Sequence, residues 1–193
     1  GASGRPNILF ILTDDQGWAD LSSPMDPRVP DGCCPFFHTP NMDRLAREGM
    51  RFTSGYAPAP LCTPTRRSIQ FGMTPARQRG TEFIGDFRPA GHPSIAQVLK
   101  RVDPAYRCAH FGKWGEAISG GWQDRNLDAV PESLGYDDGD GGQTGNITGT
   151  FHHRALHPND VHRNSICEPD ADPKRTFSVT RRAVGFMERT VAE

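Results

Sequence analysis

Three groups of residues have the types and spacing needed for chemistry on a charged oxygen-rich group. Asp14 and Asp15 stand side by side in "TDDQG" directly after an apolar run. Paired carboxylates suit a hard divalent cation with oxygen ligands. Cys62 and Arg66 lie in "PAPLCTPTRRSIQFG", residues 58–72, ahead of a helical pattern. A helix start next to an arginine suits a tetrahedral oxyanion. Lys113, in "FGKW", adds a second positive point. Together they describe a site in which a sulfate or phosphate group is held against a metal. Taken singly, each has an ordinary structural reading: Asp14 and Asp15 as turn caps, Arg66 as a solvated surface charge, Cys62 as a small buried side chain.

The elements that must position these groups alternate between strand and helix. "NILFIL", Asn7–Leu12, is a continuous apolar run that predicts a strand buried on both faces, as in a parallel sheet under helices. Asp14 and Asp15 then fall at its carboxyl end, the edge where open α/β sheets bind ligands. "HTPNMDRLAREGMRF" predicts a helix with Thr39 as N-cap, Pro40 at its first position, Met42, Leu45 and Ala46 as the apolar stripe, and Gly49 as terminator. "RFTSGYA" predicts a short strand, and weak helical spacing continues from Ser68 to Met73, placing Cys62 at or near a helix N-terminus. "HPSIAQVLKRV" predicts a helix capped by Ser94 with Ile95, Val98 and Leu99 inward, and "YRCAHFGKW" a strand ending at Lys113. From Ile118 to about Arg175 the chain is rich in Gly, Asp, Asn and His, a long loop-rich excursion of the kind that usually carries function. "SVTRRAVGFMERTVAE" resumes helical spacing through Val179, Val184, Phe186, Met187 and Val191. The expected fold class is therefore α/β, a mainly parallel sheet flanked by helices.

Bulk properties narrow the function. A chain of 193 residues can bury a real core. The net charge of -1 argues against nucleic-acid binding driven by bulk electrostatics. Gly 21 and Pro 17, with 35% hydrophobic residues, indicate long connections around a modest set of buried elements. No apolar run reaches membrane-spanning length, and the opening "GASGRPN" does not read as a signal peptide. The five cysteines, Cys33, Cys34, Cys62, Cys108 and Cys167, are odd in number and form no C-x-x-C pair, against a disulfide framework. Cys33 and Cys34 with His38 fall short of a zinc site. "DDGDGG", 137–142, lacks the spacing of a calcium loop and reads as turn-rich, and Asn146 opens an N-x-T glycosylation sequon.

"CTPTR" resembles the sulfatase signature C-x-P-S/T-R, with Ile69 and Gly72 at the following apolar and glycine places. The resemblance extends to "PNILFILTDDQGWAD", "HTPNMDRLAREGMRFTSGYA", "GMTPARQRG", "FGKW" and "SLGYD", in order from Asn7 to Asp137. It implies an alkaline-phosphatase-like α/β fold and hydrolysis of a sulfate ester. It implies that a maturation enzyme reading Cys62, Pro64 and Arg66 oxidises Cys62 to the aldehyde formylglycine. One hydroxyl of the hydrated aldehyde then attacks sulfur and expels the alcohol. The second hydroxyl ejects sulfate and restores the aldehyde. The resemblance also implies calcium, or magnesium, on Asp14, Asp15 and the residue at position 62, with Arg66 and Lys113 stabilising charge on the sulfuryl oxygens.

The family's lysine motif ordinarily reads G-K-W-H; here Gly115 takes the histidine's place. Replacement candidates are His110 and the cluster His152, His153, His157 and His162, a solvated loop or a pocket lining in which His152 and His153 contact substrate. The family also continues into a later Pro-His segment, an Asp-Asn pair and a second lysine, so the chain reads as the N-terminal portion of a longer catalytic domain, able alone to bind metal only weakly. Expected partners are a sulfated small molecule or a sulfated glycan and the maturation enzyme. The expected location is periplasmic, secreted or lysosomal-type rather than cytoplasmic. Rival readings are a phosphonate monoester or phosphodiester hydrolase of the same superfamily, and a non-catalytic relative that binds sulfated glycans.

Overall fold

The computed structural model describes residues 4–82, 91–114, 131–139 and 176–191, and the chain divides into two compact units, Gly1–Tyr56 and Ala57–Glu193.

The first unit is built around one helix and a polar clasp. Helix α1, Pro40–Glu48, begins with proline at its first position and has Thr39 and Gly49 at its ends, as the sequence predicts. Thr39 does not cap α1 through its side chain. Its hydroxyl instead accepts from the Ser22 amide at 2.9 Å and shares a 2.7 Å bond with the Ser22 hydroxyl. Ser22 and Ser23 donate in turn to Asp43 at 2.8 and 2.7 Å. The Ser23 hydroxyl first, then that of Ser22, holds the Asp43 carboxyl below the usual carboxylate range. Trp18 donates to the Thr53 carbonyl and Arg51 to that of Pro24, tying the loop to the segment after α1.

Two sequence-based strands of this unit are absent. Residues 7–12 have no regular secondary structure and pair with no strand among the described residues, and Ile8, Leu9, Phe10 and Ile11 are exposed. An apolar run has no means of holding strand geometry without neighbours to complete its hydrogen-bond ladder. Residues 51–57 form turns for the same reason.

The second unit carries the core. Helices α2, Cys62–Phe71, α3, Pro75–Gln78, and α4, Ile95–Val102, precede a parallel pair of short strands, β1, Ala109–His110, and β2, Asp138–Gly139. A 3-10 turn, Pro131–Leu134, leads into β2, and α5 spans Thr176–Val191. Gly72 ends α2 in the left-handed region at φ 58, where a side chain would be strained. Ser94 caps α4 with a complete capping box, and its hydroxyl also donates to the Leu134 carbonyl. Phe71, Trp114 and Leu134 form the buried centre, with Met73 and Tyr136 packed against it. Each fully buried large apolar side chain contributes about 1.5–3 kcal/mol.

The face that α4 buries differs from the one its apolar residues predict. Ala96 is buried and Leu99 half-buried, while Ile95 and Val98 are each 43% exposed. The segment read as a strand to Lys113 is in the sheet only at Ala109 and His110. The excursion read as loop-rich contains the 3-10 turn and β2, so its Asp138–Gly139 step is sheet rather than turn. Asp137 makes this pairing specific. Its carboxylate accepts from the Cys108 amide at 2.8 Å and from Lys100 Nζ at 2.6 Å, and its own amide donates to the Cys108 carbonyl. Phe111 packs on Phe186 of α5, and Arg189 donates to Asp138. Architecture and sheet direction agree with an α/β class, with helices around a small parallel sheet. No helix among the described residues is long and apolar enough to cross a membrane.

Candidate active site

Cys62 is the first residue of α2. Leu61 precedes it in extended backbone and has no side chain able to cap, so the first-turn amides are left for a ligand, solvent or the loop before them. Pro64 lies inside that first turn, where its missing N–H costs nothing. Its carbonyl accepts from Ser68 Oγ at 2.8 Å, and Thr65 Oγ1 donates to the Ala59 carbonyl at 2.9 Å, fixing the approach to Cys62. Helical phase then separates the two arginines. Arg66, four residues after Cys62, shares its face of α2. Arg67 turns the other way and is 1% exposed, against the backbone of Gly80, where an added Cβ would come within 3.1 Å of its Nη1.

Arg66 crosses to the loop after β1. Its Nη1 donates to the Lys113 carbonyl at 2.7 Å, so it is not the solvated surface charge that its motif alone would allow. The signature helix and the lysine loop are thereby brought together, with Cys62 one helical turn from the bond. His110 completes the wall. Its ring meets Trp114 edge-on at 4.7 Å and Tyr136 at 5.8 Å. The residue is partly buried as a whole, but its Nδ1 is sealed from solvent and has no hydrogen-bond partner among the described residues. Burial, and after it the Arg66 charge, pushes the imidazole down to about 4, so it is neutral near pH 7. Tyr136 hydroxyl donates to Gln70 on α2 at 2.9 Å and closes the ring of contacts.

Asp14 and Asp15 belong to the other compact unit and lie in a bend rather than at a strand end. Asp15 has φ 56, a left-handed conformation that aspartate tolerates better than most residues and that marks a sharp redirection of the chain. Among the described residues, no three His, Cys, Asp or Glu side chains gather to hold a metal. Two carboxylates fall short of the roughly six to eight oxygens that calcium takes, so the described residues do not complete a site and no step is derived through the ion. His152, His153, His157 and His162, with Gly115, lie outside the described residues. Cys33, Cys34, Cys62 and Cys108 are free thiols.

Sequence reasoning named Cys62, Arg66, Lys113 and His110 but gave Trp114, Tyr136 and Gln70 no part in the site. The apolar step of "GKW" and the tyrosine of "SLGYD" carry that signal, because an aromatic next to a charged loop residue often supplies its wall.

The chain matches the sulfatase family model over residues 6–143. It is 46% identical over 102 residues to N-acetylgalactosamine-6-sulfatase of Sus scrofa, covering 53% of this chain and 17% of that protein. The Homo sapiens protein of the same name is 42% identical over 130 residues, covering 59% of this chain and 23% of its own length. Choline-sulfatase of Rhizobium meliloti (strain 1021) is 32% identical over 138 residues, covering 69% of this chain and 25% of that protein. The match spans a quarter or less of the length of these relatives.

Proposed function

The chain belongs to the sulfatase family, and from that premise we propose that it serves the hydrolysis of a sulfate ester with the residue at position 62 as nucleophile. The observation that carries the reading is the 2.7 Å bond from Arg66 to the Lys113 carbonyl, with Cys62 one turn earlier on the same helix face. A guanidinium held on the same helix face as a nucleophile at a helix start suits a sulfuryl group, since charge builds on its oxygens during transfer.

In this reading Cys62 is the precursor of formylglycine, made by a maturation enzyme. When present, the hydrated aldehyde supplies one hydroxyl to attack sulfur and a second to release sulfate. Arg66 orients the sulfuryl oxygens, and its bond to the Lys113 carbonyl fixes the guanidinium against the lysine loop. Lys113 adds charge on the same side. His110, Trp114 and Tyr136 pack edge to face with one another, and the Arg66 charge reaches the His110 ring. Asp14 and Asp15 are carboxylates of the kind that calcium or magnesium takes, and alone they fall short of a full ligand set. The substrate is a sulfated small molecule or a sulfated glycan, and the protein works outside the cytoplasm.

Mass spectrometry of the peptide spanning residue 62, from the naturally produced protein, tests the nucleophile. A carbonyl in place of the thiol is expected, together with turnover of an aryl sulfate. Preference for an aryl phosphonate ester would move the assignment to a phosphonate monoester hydrolase. Aldehyde without turnover of any sulfate ester would leave a sulfated-glycan binder.

A further inference from the structure

His110 packs against Trp114 and Tyr136, and the reaction as read above does not use its imidazole. A buried ring nitrogen with no partner costs about 1–3 kcal/mol, so its presence in a packed wall calls for an explanation. The groups around it among the described residues come from three segments. From α2 comes the Arg66 guanidinium, close enough for its charge to act on the ring. From the loop continuing its own strand come Trp114 and, at the carbonyl that Arg66 grips, Lys113. From the segment after the 3-10 turn comes Tyr136. On β2 and just before it, Asp138 is engaged by Arg189 and Asp137 by Lys100, so neither carboxylate is committed to the imidazole. The strongest field on the ring is therefore that of an arginine whose own proposed ligand is an anion.

We propose that binding of a sulfate group against Arg66 is coupled to proton uptake by His110. The inference rests on the assignment of Arg66 to the sulfate. An anion at the guanidinium cancels part of the positive field at the imidazole and makes its charged form less costly. By linkage, protonated His110 tightens anion binding by the same factor. No bond forms or breaks beyond the N–H of the imidazolium, and the proton comes from solvent. The unpartnered Nδ1 is then the latent proton site of a two-state device: empty while Arg66 is unliganded, filled when an anion arrives in acidic surroundings.

Calorimetric titration of the naturally produced protein with inorganic sulfate at pH 5, in two buffers of different ionisation enthalpy, reads the protons taken up. Sulfate stays ionised at that pH, so any uptake belongs to the protein. The wild type should take up a fraction of a proton per sulfate, and its affinity should rise about fivefold or more between pH 7 and pH 4.5. In His110→Gln and His110→Phe, both checked for folding by circular dichroism, uptake and the rise should vanish. The imidazole resonance of His110 should titrate higher with sulfate than without. Sulfate binding with unchanged proton uptake in both variants would overturn the coupling and leave the sulfate assignment standing. Absence of sulfate binding, or binding unaffected by Arg66→Ala, would remove the assignment of Arg66 and the coupling with it.

Discussion

Arg66 Nη1 donates to the carbonyl oxygen of Lys113 at 2.7 Å, across 47 residues of sequence. That one bond joins the helix that begins at Cys62 to the backbone of the loop that follows β1. Arg66→Ala should lower kcat for an aryl sulfate by about 10²–10³, the usual cost of removing one fixed donor from a developing oxyanion. Arg66→Lys should recover only a small part, because an ammonium cannot grip the carbonyl and face a ligand at once. Steady-state kinetics, with melting curves to establish folding, check this; full activity in Arg66→Ala would remove the site as drawn.

His110 also links acidity to stability. Its folded value of about 4 lies below the ordinary 6.5, so between these values the unfolded chain binds more protons than the folded one. Stability therefore falls as pH drops from 6.5 towards 4 and levels off below, as far as this group is concerned. In His110→Phe that slope should be shallower. Denaturant unfolding at several pH values gives the comparison, and parallel slopes in the two proteins would count against a neutral buried imidazole.

Asp137 titrates with the opposite consequence. Burial pushes its carboxyl up, but the bonds from Lys100 and the Cys108 amide outweigh burial and leave it below its ordinary 3.8. Its contribution is complete above that value and disappears as pH falls through the lower, folded one. Asp137→Asn should destabilise the protein at pH 7 and flatten the acid limb below about pH 4. Melting temperatures that respond equally to acid in both proteins would show that this carboxylate does not hold β1 to β2.

Ser94 is fully buried and serves α4 and the 3-10 turn at once. Ser94→Ala should cost about 1 kcal/mol for the cap and about 1–3 more for the Leu134 carbonyl left without its donor. Thr74, which caps the short α3 through a 3.4 Å contact and is itself exposed, is the control, and Thr74→Ala should cost less than about 1 kcal/mol. Equal losses in thermal denaturation would mean that the Leu134 bond adds nothing.

The parts of the fold legible in the sequence are those set by local rules. Pro40 and Gly49 bound α1, Ser94 with Gln97 starts α4, and the C-x-P-x-R spacing puts Cys62 at the head of α2, because caps and proline act within one turn. Residues 7–12 read as a buried strand because apolarity reports a preference for burial, yet a strand also needs a neighbour, which no local pattern encodes. Asp138–Gly139 hid inside a glycine-rich stretch, since its strand character comes from pairing with Ala109 and His110. At the site, charge identified Arg66 and Lys113. Helical phase, which buries Arg67 and turns Arg66 to the lysine loop, could have separated the pair in advance; the aromatic wall could not have been assembled without the pairing of β1 and β2.

That pairing has a kinetic consequence. Ala109 lies opposite Asp138 in a parallel register, and parallel neighbours require the chain to travel out and return before any ladder bond forms. The loop bearing Lys113 begins where this ladder ends. A helix such as α2 can form in about a microsecond, whereas contacts between distant parts of a chain wait for closure of the intervening loop. The helix that begins at Cys62 is thus ready first, and the loop that bears Lys113 is set by a slower step. On a ribosome, residues 138 and 139 must clear the exit tunnel before Lys113 is anchored at all.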